Sequence, residues 1–181
     1  MGPRVRRLLA PNPSPFTYSG TQTYIVGKGE LAVIDPGPDI PDHVAALTAA
    51  VAGERVMAIL CTHTHRDHSP ASRAFQSATG APIIGCAPLS LDDDGPRSDD
   101  SFDPDYRPDR ILADGEMIAR GNWSISAVAT PGHTSNHLCF ALREGGILFT
   151  GDHVMGWSTT VVAPPDGDMA DYMASLDKLL S

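Results

Sequence analysis

The order strand, helix, strand, helix, strand through residues 23–86 predicts an α/β fold, because such alternation builds a sheet with helices packed on it. Two further observations point the same way. The continuous apolar run Val56–Cys61 reads as a strand buried on both faces. Three more β-like runs, separated by turn residues, fill the second half of the chain. A length of 181 residues suits one domain, and 41% hydrophobic residues suffice for a core. With 17 Gly and 16 Pro, many tight turns are expected.

Residues 1–16 read as a Pro-rich arm, since Pro3, Pro11, Pro13 and Pro15 interrupt any regular element. Thr23–Gly27 and Leu31–Asp35 are β-rich runs joined by a Gly27-Lys28-Gly29 turn, the pattern of a hairpin. Between Pro41 and Gly53 the spacing of Val44, Leu47 and Val51 predicts a helix. His43 is expected on its polar, exposed side. A second helix is predicted over Pro70–Thr79, stopped by Gly80, and a strand over Pro82–Cys86. Residues 91–110 read as an acidic surface excursion, carrying 8 Asp and 3 Arg from Asp92 to Arg110. Trp123–Ala129, Leu138–Leu142 and Ile147–Thr150 are the later strands, and Met169–Leu180 the final helix.

Several function classes are disfavoured at once. No apolar run approaches the ~18 residues of a membrane span, so no membrane partner is expected. The net charge of −9 argues against a generic nucleic-acid binder. Cys61, Cys86 and Cys139 are odd in number and widely spaced, which predicts buried thiols rather than a disulfide scaffold. The arginines Arg4, Arg6 and Arg7 lie among helix-breaking prolines with no apolar secretory region after them, so a cytoplasmic location is expected.

Chemistry concentrates after the buried strand. His63-Thr64-His65-Arg66-Asp67-His68 packs three imidazoles and a carboxylate into six residues. In an extended loop His63 and His65 project to the same side and reach one metal, while Asp67 and His68 turn toward a second. Mixed imidazole and carboxylate ligands suit zinc, and also iron or manganese. Pro131-Gly132-His133 sits at another strand end and offers a third imidazole. Gly151-Asp152 follows a later strand, where a carboxylate can bridge two cations. The adjacent glycines are expected to let the backbone approach the metals closely.

This order, His63-x-His65-x-Asp67-His68, then His133, then Asp152, resembles the metallo-β-lactamase superfamily over essentially the whole chain. The resemblance implies an αββα sandwich with a metal site at the strand edges. It implies that His63, His65 and His133 hold a first metal, that Asp67 and His68 hold a second, and that Asp152 bridges them. Two zinc ions per chain are expected in a complete domain, with iron or manganese as alternatives. Asp67 is the implied catalytic residue, orienting the attacking hydroxide. Asp35, in Asp35-Pro36-Gly37, matches a structural Asp beneath the metal loop. Within the superfamily, Asn12–Thr17, Thr130–Thr134, Thr150–Gly156 and Thr159–Val162 resemble the lactamase-beta-2-like branch. Animal members of that branch are endoribonucleases acting on single-stranded RNA. The family also places a further His after the helix matching Met169–Leu180. No histidine follows His153 here, so a domain incomplete at its C-terminus, with six of the seven ligands, is expected.

The resemblance therefore implies a metallo-hydrolase cleaving an ester-type bond. Single-stranded RNA, a small-molecule ester or lactone, and a thioester of the glyoxalase II kind are the competing substrates. A mononuclear iron persulfide dioxygenase and an inactive metal-binding fragment are the alternatives from other classes. His137 and His153 are expected to support the site at most from outside the ligand set. Asp92-Asp93-Asp94-Gly95 lacks the spacing of a calcium loop. Oligomeric state is not legible in the sequence.

Overall fold

A computed structural model of the chain describes residues 5–89 and 102–180. Two sheets face each other across one apolar core. The first has six strands in spatial order β1 to β6: β1 (Val5–Leu9), β2 (Gln22–Lys28), β3 (Glu30–Ile34), β4 (Arg55–Cys61), β5 (Ile83–Gly85) and β6 (Arg110–Ile111). Its first three strands are antiparallel and β3 to β6 are parallel. Helices α1 (Pro41–Ala50) and α2 (Ala71–Thr79) are the crossovers from β3 to β4 and from β4 to β5. The second sheet is antiparallel, in order β10 (Ile147–Phe149), β9 (Leu138–Leu142), β8 (Trp123–Ala129) and β7 (Met117–Arg120).

Burial explains why these runs become strands. Ala58 to Cys61 of β4 are buried without a break, as expected for a strand covered by a helix layer on one side and a sheet on the other. Alternation governs β8, where Trp123, Ile125 and Ala127 point into the core. The Trp123 indole also donates to the Glu30 carbonyl at 2.9 Å, tying the sheets together at the end far from the histidines. The helices α1 and α2 pack on one another, and α2 packs on β4 and β5. The third helix, α3 (Met169–Leu180), is fastened to the second sheet. The Ser175 hydroxyl donates to the Pro131 carbonyl, and Lys178 donates to the Ala129 carbonyl.

Three expectations need correction. Val5–Leu9 is not part of an irregular arm; it pairs with Leu9 opposite Gln22 and Val5 opposite Val26, because its prolines lie outside the paired stretch. His43 is buried rather than exposed. It stands four residues before Leu47, on the same helical face, and its Nε2–H donates to the Pro36 carbonyl at 2.8 Å. Of the acidic segment, residues 90–101 lie outside the described residues, as does the Asp92–Asp94 run. Its remainder returns into the fold. Asp103 and Tyr106 are buried, and Arg110 enters β6. The three cysteines are buried and unbridged, as expected.

Topology brings one end of each sheet to a common edge. The parallel strands β3 and β4 end side by side at Asp35 and Thr62. In the second sheet β8 and β10 both run antiparallel to β9, so Thr130–His133 and Thr150–Asp152 leave the same end. A Leu138 N–H to Thr62 carbonyl bond of 2.8 Å stitches the two edges.

Candidate metal centre

The loop after β4 carries the first histidines. The His63 and His65 rings meet edge to face with centroids 4.7 Å apart, so the two residues do reach a common point. His133 arrives from the loop after β8, its ring 4.7 Å from His65 and 5.0 Å from His63. Three nitrogens converge: His65 Nδ1 lies 3.0 Å from His63 Nε2 and 3.0 Å from His133 Nε2.

Neighbouring hydrogen bonds fix which nitrogens are bare. The Thr62 hydroxyl donates to Asp35 Oδ2 at 2.8 Å, so it accepts from His63 Nδ1–H at 3.0 Å. His133 Nδ1–H donates to the Val161 carbonyl at 2.6 Å. Both Nε2 atoms therefore face the cluster as lone pairs. Only one proton, on His65, is then available for two contacts. Burial, reinforced by the surrounding imidazoles, pulls His63 well below its ordinary value, and burial pulls His65 to about 4, so neither gains a proton near neutrality. Lone pairs this close repel unless a cation lies between them. A tetrahedral ion with bonds of ~2.0–2.1 Å separates its nitrogens by about 3.3 Å, close to the spacing observed.

Asp152 completes the group. One ligand atom from each of His63, His65, His133 and Asp152 lies within 4.8 Å of the others. Its two oxygens diverge: Oδ2 is 3.7 Å from His133 Nε2, while Oδ1 is 3.3 Å from His68 Nε2. On that second side Asp67 Oδ2 also lies 3.3 Å from His68 Nε2. Below, Asp35 accepts from the Thr62 N–H with Oδ1 and from His68 Nδ1–H with Oδ2 at 2.9 Å. The expected structural role of Asp35 is thus seen in its contacts, and it leaves His68 Nε2 directed at the carboxylates.

The two sides differ electrostatically. Burial alone lowers His68, but Asp67, Asp152 and Asp35 outweigh it and raise the imidazole well above its usual value. Burial likewise raises Asp67, yet His68 and the Thr21 hydroxyl hold it far below the usual carboxylate range. Three carboxylates around one imidazole demand further positive charge. The donor set, three converging imidazole nitrogens beside a shared carboxylate, fits a divalent metal.

Some contributors carry no strong sequence signal. The Thr21 hydroxyl donates to Asp67 Oδ2 at 2.8 Å and is itself held by Asn12 Nδ2 at 3.1 Å. Phe102 forms an isolated bridge with His65 and packs its ring 4.7 Å from the imidazole. The glycines also make room for neighbouring protein atoms. A Cβ on Gly151, at φ 49°, would sit 2.7 Å from His137 Nε2 and 2.8 Å from Thr62 Oγ1. One on Gly132 would strike Tyr172 Cα of α3 at 2.3 Å. Protein atoms leave no room for a side chain at either position. His137 backs His63 at 5.1 Å, and His153 turns to Tyr172 at 4.7 Å, both outside the converging group.

Comparison with known proteins decides the family. The model of the metallo-beta-lactamase superfamily matches residues 17–181. The chain belongs to this superfamily. Among curated relatives it is similar to an atrochrysone carboxyl ACP thioesterase of Aspergillus fumigatus, 34% identical over all of this chain and 53% of the relative. It is also similar to the lactamase-like protein vrtG of Penicillium aethiopicum, 35% identical over 99% of this chain and 53% of the relative. The chain thus spans about half the length of the curated relatives it matches. A metallo-beta-lactamase family protein from Thermus thermophilus superposes with a TM-score of 0.74 at 25% identity, covering 97% of this chain and 69% of that one. TTHA1623, crystallised in a di-iron-bound form, gives 0.70 at 26% identity over 97% and 85%. The two-sheet metallo-β-lactamase fold accounts for the shared edge on which the histidines meet. Among the described residues, no helix is long and apolar enough to cross a membrane.

Proposed function

We propose that this chain carries, within a metallo-β-lactamase-like domain to which residues 1–181 belong, the metal-dependent hydrolytic site of a thioesterase. The observation that carries the reading is the pair of bare Nε2 atoms of His63 and His133 converging on His65 beside the divided carboxylate of Asp152. The thioesterase name of relatives at 32–36% identity supports the bond type. His63, His65 and His133 would hold one divalent ion, Asp67 and His68 a second, and Asp152 both. Zinc suits this set, and the likeness to a di-iron protein makes iron the alternative. Such ions acidify water and polarise a carbonyl.

The chain's own groups then orient the reaction. Asp67, with Oδ2 fixed by Thr21 and His68, offers Oδ1 as an acceptor that orients the attacking water. The water oxygen bonds to the acyl carbon, the carbon–sulfur bond breaks, and one water proton passes to the leaving sulfur while the other leaves with the acid product. Asp35 keeps His68 in the tautomer that faces the site. A phosphodiester substrate fits less well. Among the residues lining the adjoining groove Arg7 is the single Arg or Lys, and no stripe of basic side chains tracks away from the site as a nucleic-acid backbone would need.

The test is a parallel screen of the zinc-loaded and iron-loaded chain against acyl thioesters of N-acetylcysteamine, a lactone series and single-stranded RNA. Thioester turnover that Asp152→Ala abolishes is expected. Cleavage of RNA or lactones without thioesters, or no turnover of any substrate, overturns the reading.

A further inference from the structure

The imidazole side of the centre is assembled from two loops on different sheets, and one amide behind it bonds to both. His63 and His65 follow β4 of the first sheet, and His133 follows β8 of the second. Thr64 stands between two residues whose rings meet, so its own side chain turns the opposite way. Thr134 directly follows His133, and both threonines are buried. Asn136 joins them. Its side-chain nitrogen donates to the Thr64 hydroxyl at 3.1 Å and to the Ala87 carbonyl at 2.8 Å. Its side-chain oxygen accepts from the Thr134 hydroxyl at 2.9 Å.

These bonds leave the amide one orientation. The Ala87 carbonyl only accepts, so the nitrogen must face it, and both N–H donors of the amide are then used. Ala87 follows β5, so a single side chain fastens the loops after β4, β5 and β8. The turn carrying Asn136 is itself held. The Gly132 and His137 N–H groups donate to the Thr134 carbonyl at 3.2 and 3.4 Å, and the Ser135 N–H donates to Asp166 at 3.2 Å. On the other loop the Thr64 carbonyl accepts from the Asp103 N–H at 2.7 Å. The 3.0 Å approach of His65 Nδ1 to His133 Nε2 is thus spanned from behind by a continuous path, His65–Thr64–Asn136–Thr134–His133. Nitrogens brought this close without a cation push the two loops apart, and the clamp opposes that push.

We infer that Asn136 is a positioning residue for the ion on the imidazole side, holding His65 and His133 at ligand spacing through Thr64 and Thr134. The inference rests on the metal reading of the site and is independent of the bond cleaved. Ligands already ordered in the metal-free chain bind an ion more tightly, because less ordering remains to be done on binding. An apolar side chain at position 136 would break all three links and let the two loops separate.

Cobalt(II) titration of the metal-depleted chain against a competing chelator, followed by visible absorption, tests this without turnover. In Asn136→Leu the higher-affinity step, which belongs to the imidazole side, is expected to weaken about tenfold, the lower end for partners outside the ligand set. Its absorption bands are expected to shift as the ligand geometry relaxes, while the second step keeps its wild-type affinity. Thr64→Val removes one link with little change of shape. It is expected to weaken the same step by a smaller factor and, combined with Asn136→Leu, to add little. Trp123→Phe, at the end far from the histidines, lowers the urea midpoint and is expected to leave both steps unchanged. Wild-type affinity and spectrum in Asn136→Leu overturn the positioning role, as does wild-type affinity in Thr64→Val where Asn136→Leu does not fold. Equal weakening of both steps that Trp123→Phe reproduces also overturns it, since that is loss of fold stability. A wild-type chain that binds no cobalt overturns the metal reading itself, and the positioning role with it.

Discussion

The two halves of the candidate metal centre share the loop after β4 yet solve opposite problems. On one side His63, His65 and His133 bring three imidazole nitrogens together, and burial keeps His63 and His65 neutral. On the other, Asp67, Asp152 and Asp35 surround His68 and raise its proton affinity. Asp152 belongs to both, one oxygen to each. The imidazole side supplies geometry with little charge, and the carboxylate side supplies charge and borders the groove. The two sides would therefore favour a cation for different reasons: to relieve lone-pair crowding on the first, and to balance carboxylates on the second.

Substitutions can separate the sides. Asp152→Ala removes the shared ligand and should show the largest effect. Turnover is expected to fall by more than the ~10–100-fold typical of an outer hydrogen-bond partner, with bound metal reduced on both sides. Asp35→Asn comes next. It should lower metal affinity on the His68 side by about 10–100-fold while the imidazole side keeps its ion, seen as a two-step metal titration becoming one high-affinity step. Thr21→Val removes one hydrogen bond to Asp67 and should cost about tenfold in kcat with the metal content unchanged.

Acidity offers the gentlest probe. For the metal-stripped chain, His65 has a folded value of about 4 against 6.5, and burial also lowers His137 and His63. A base whose value is depressed on folding adds stability above 6.5 that is lost as pH falls toward the folded value, because the unfolded chain takes up protons first. His68 has the opposite sign: its contribution is present below 6.5 and is lost as pH rises through its raised folded value. With several imidazoles on the first side against one on the second, the urea midpoint should drop between pH 7 and pH 5. A midpoint that rises over that interval would mean that His68 dominates.

Much of the candidate metal centre is legible in the amino-acid sequence. His63, His65, Asp67 and His68 stand together because one loop follows one buried strand, and strand ends are recognisable by composition. His133 and Asp152 are legible for the same reason, each lying just past an apolar run. The contributors that sequence does not reveal act across distance or through the backbone. Thr21 reaches Asp67 over 46 positions, and Val161 serves His133 through a carbonyl that any residue carries. His43 escapes the pattern because Val44, Leu47 and Val51 alone define the apolar face, although His43 shares a face with Leu47. The strand Val5–Leu9 is obscured by prolines that border it without entering it.

The most direct measurement is elemental analysis of the purified chain alongside thioester turnover before and after chelation. Two divalent ions per chain are expected, with activity lost on stripping and restored by zinc or iron. Undiminished hydrolysis by the metal-free chain would contradict a cation at the meeting point of His63, His65 and His133.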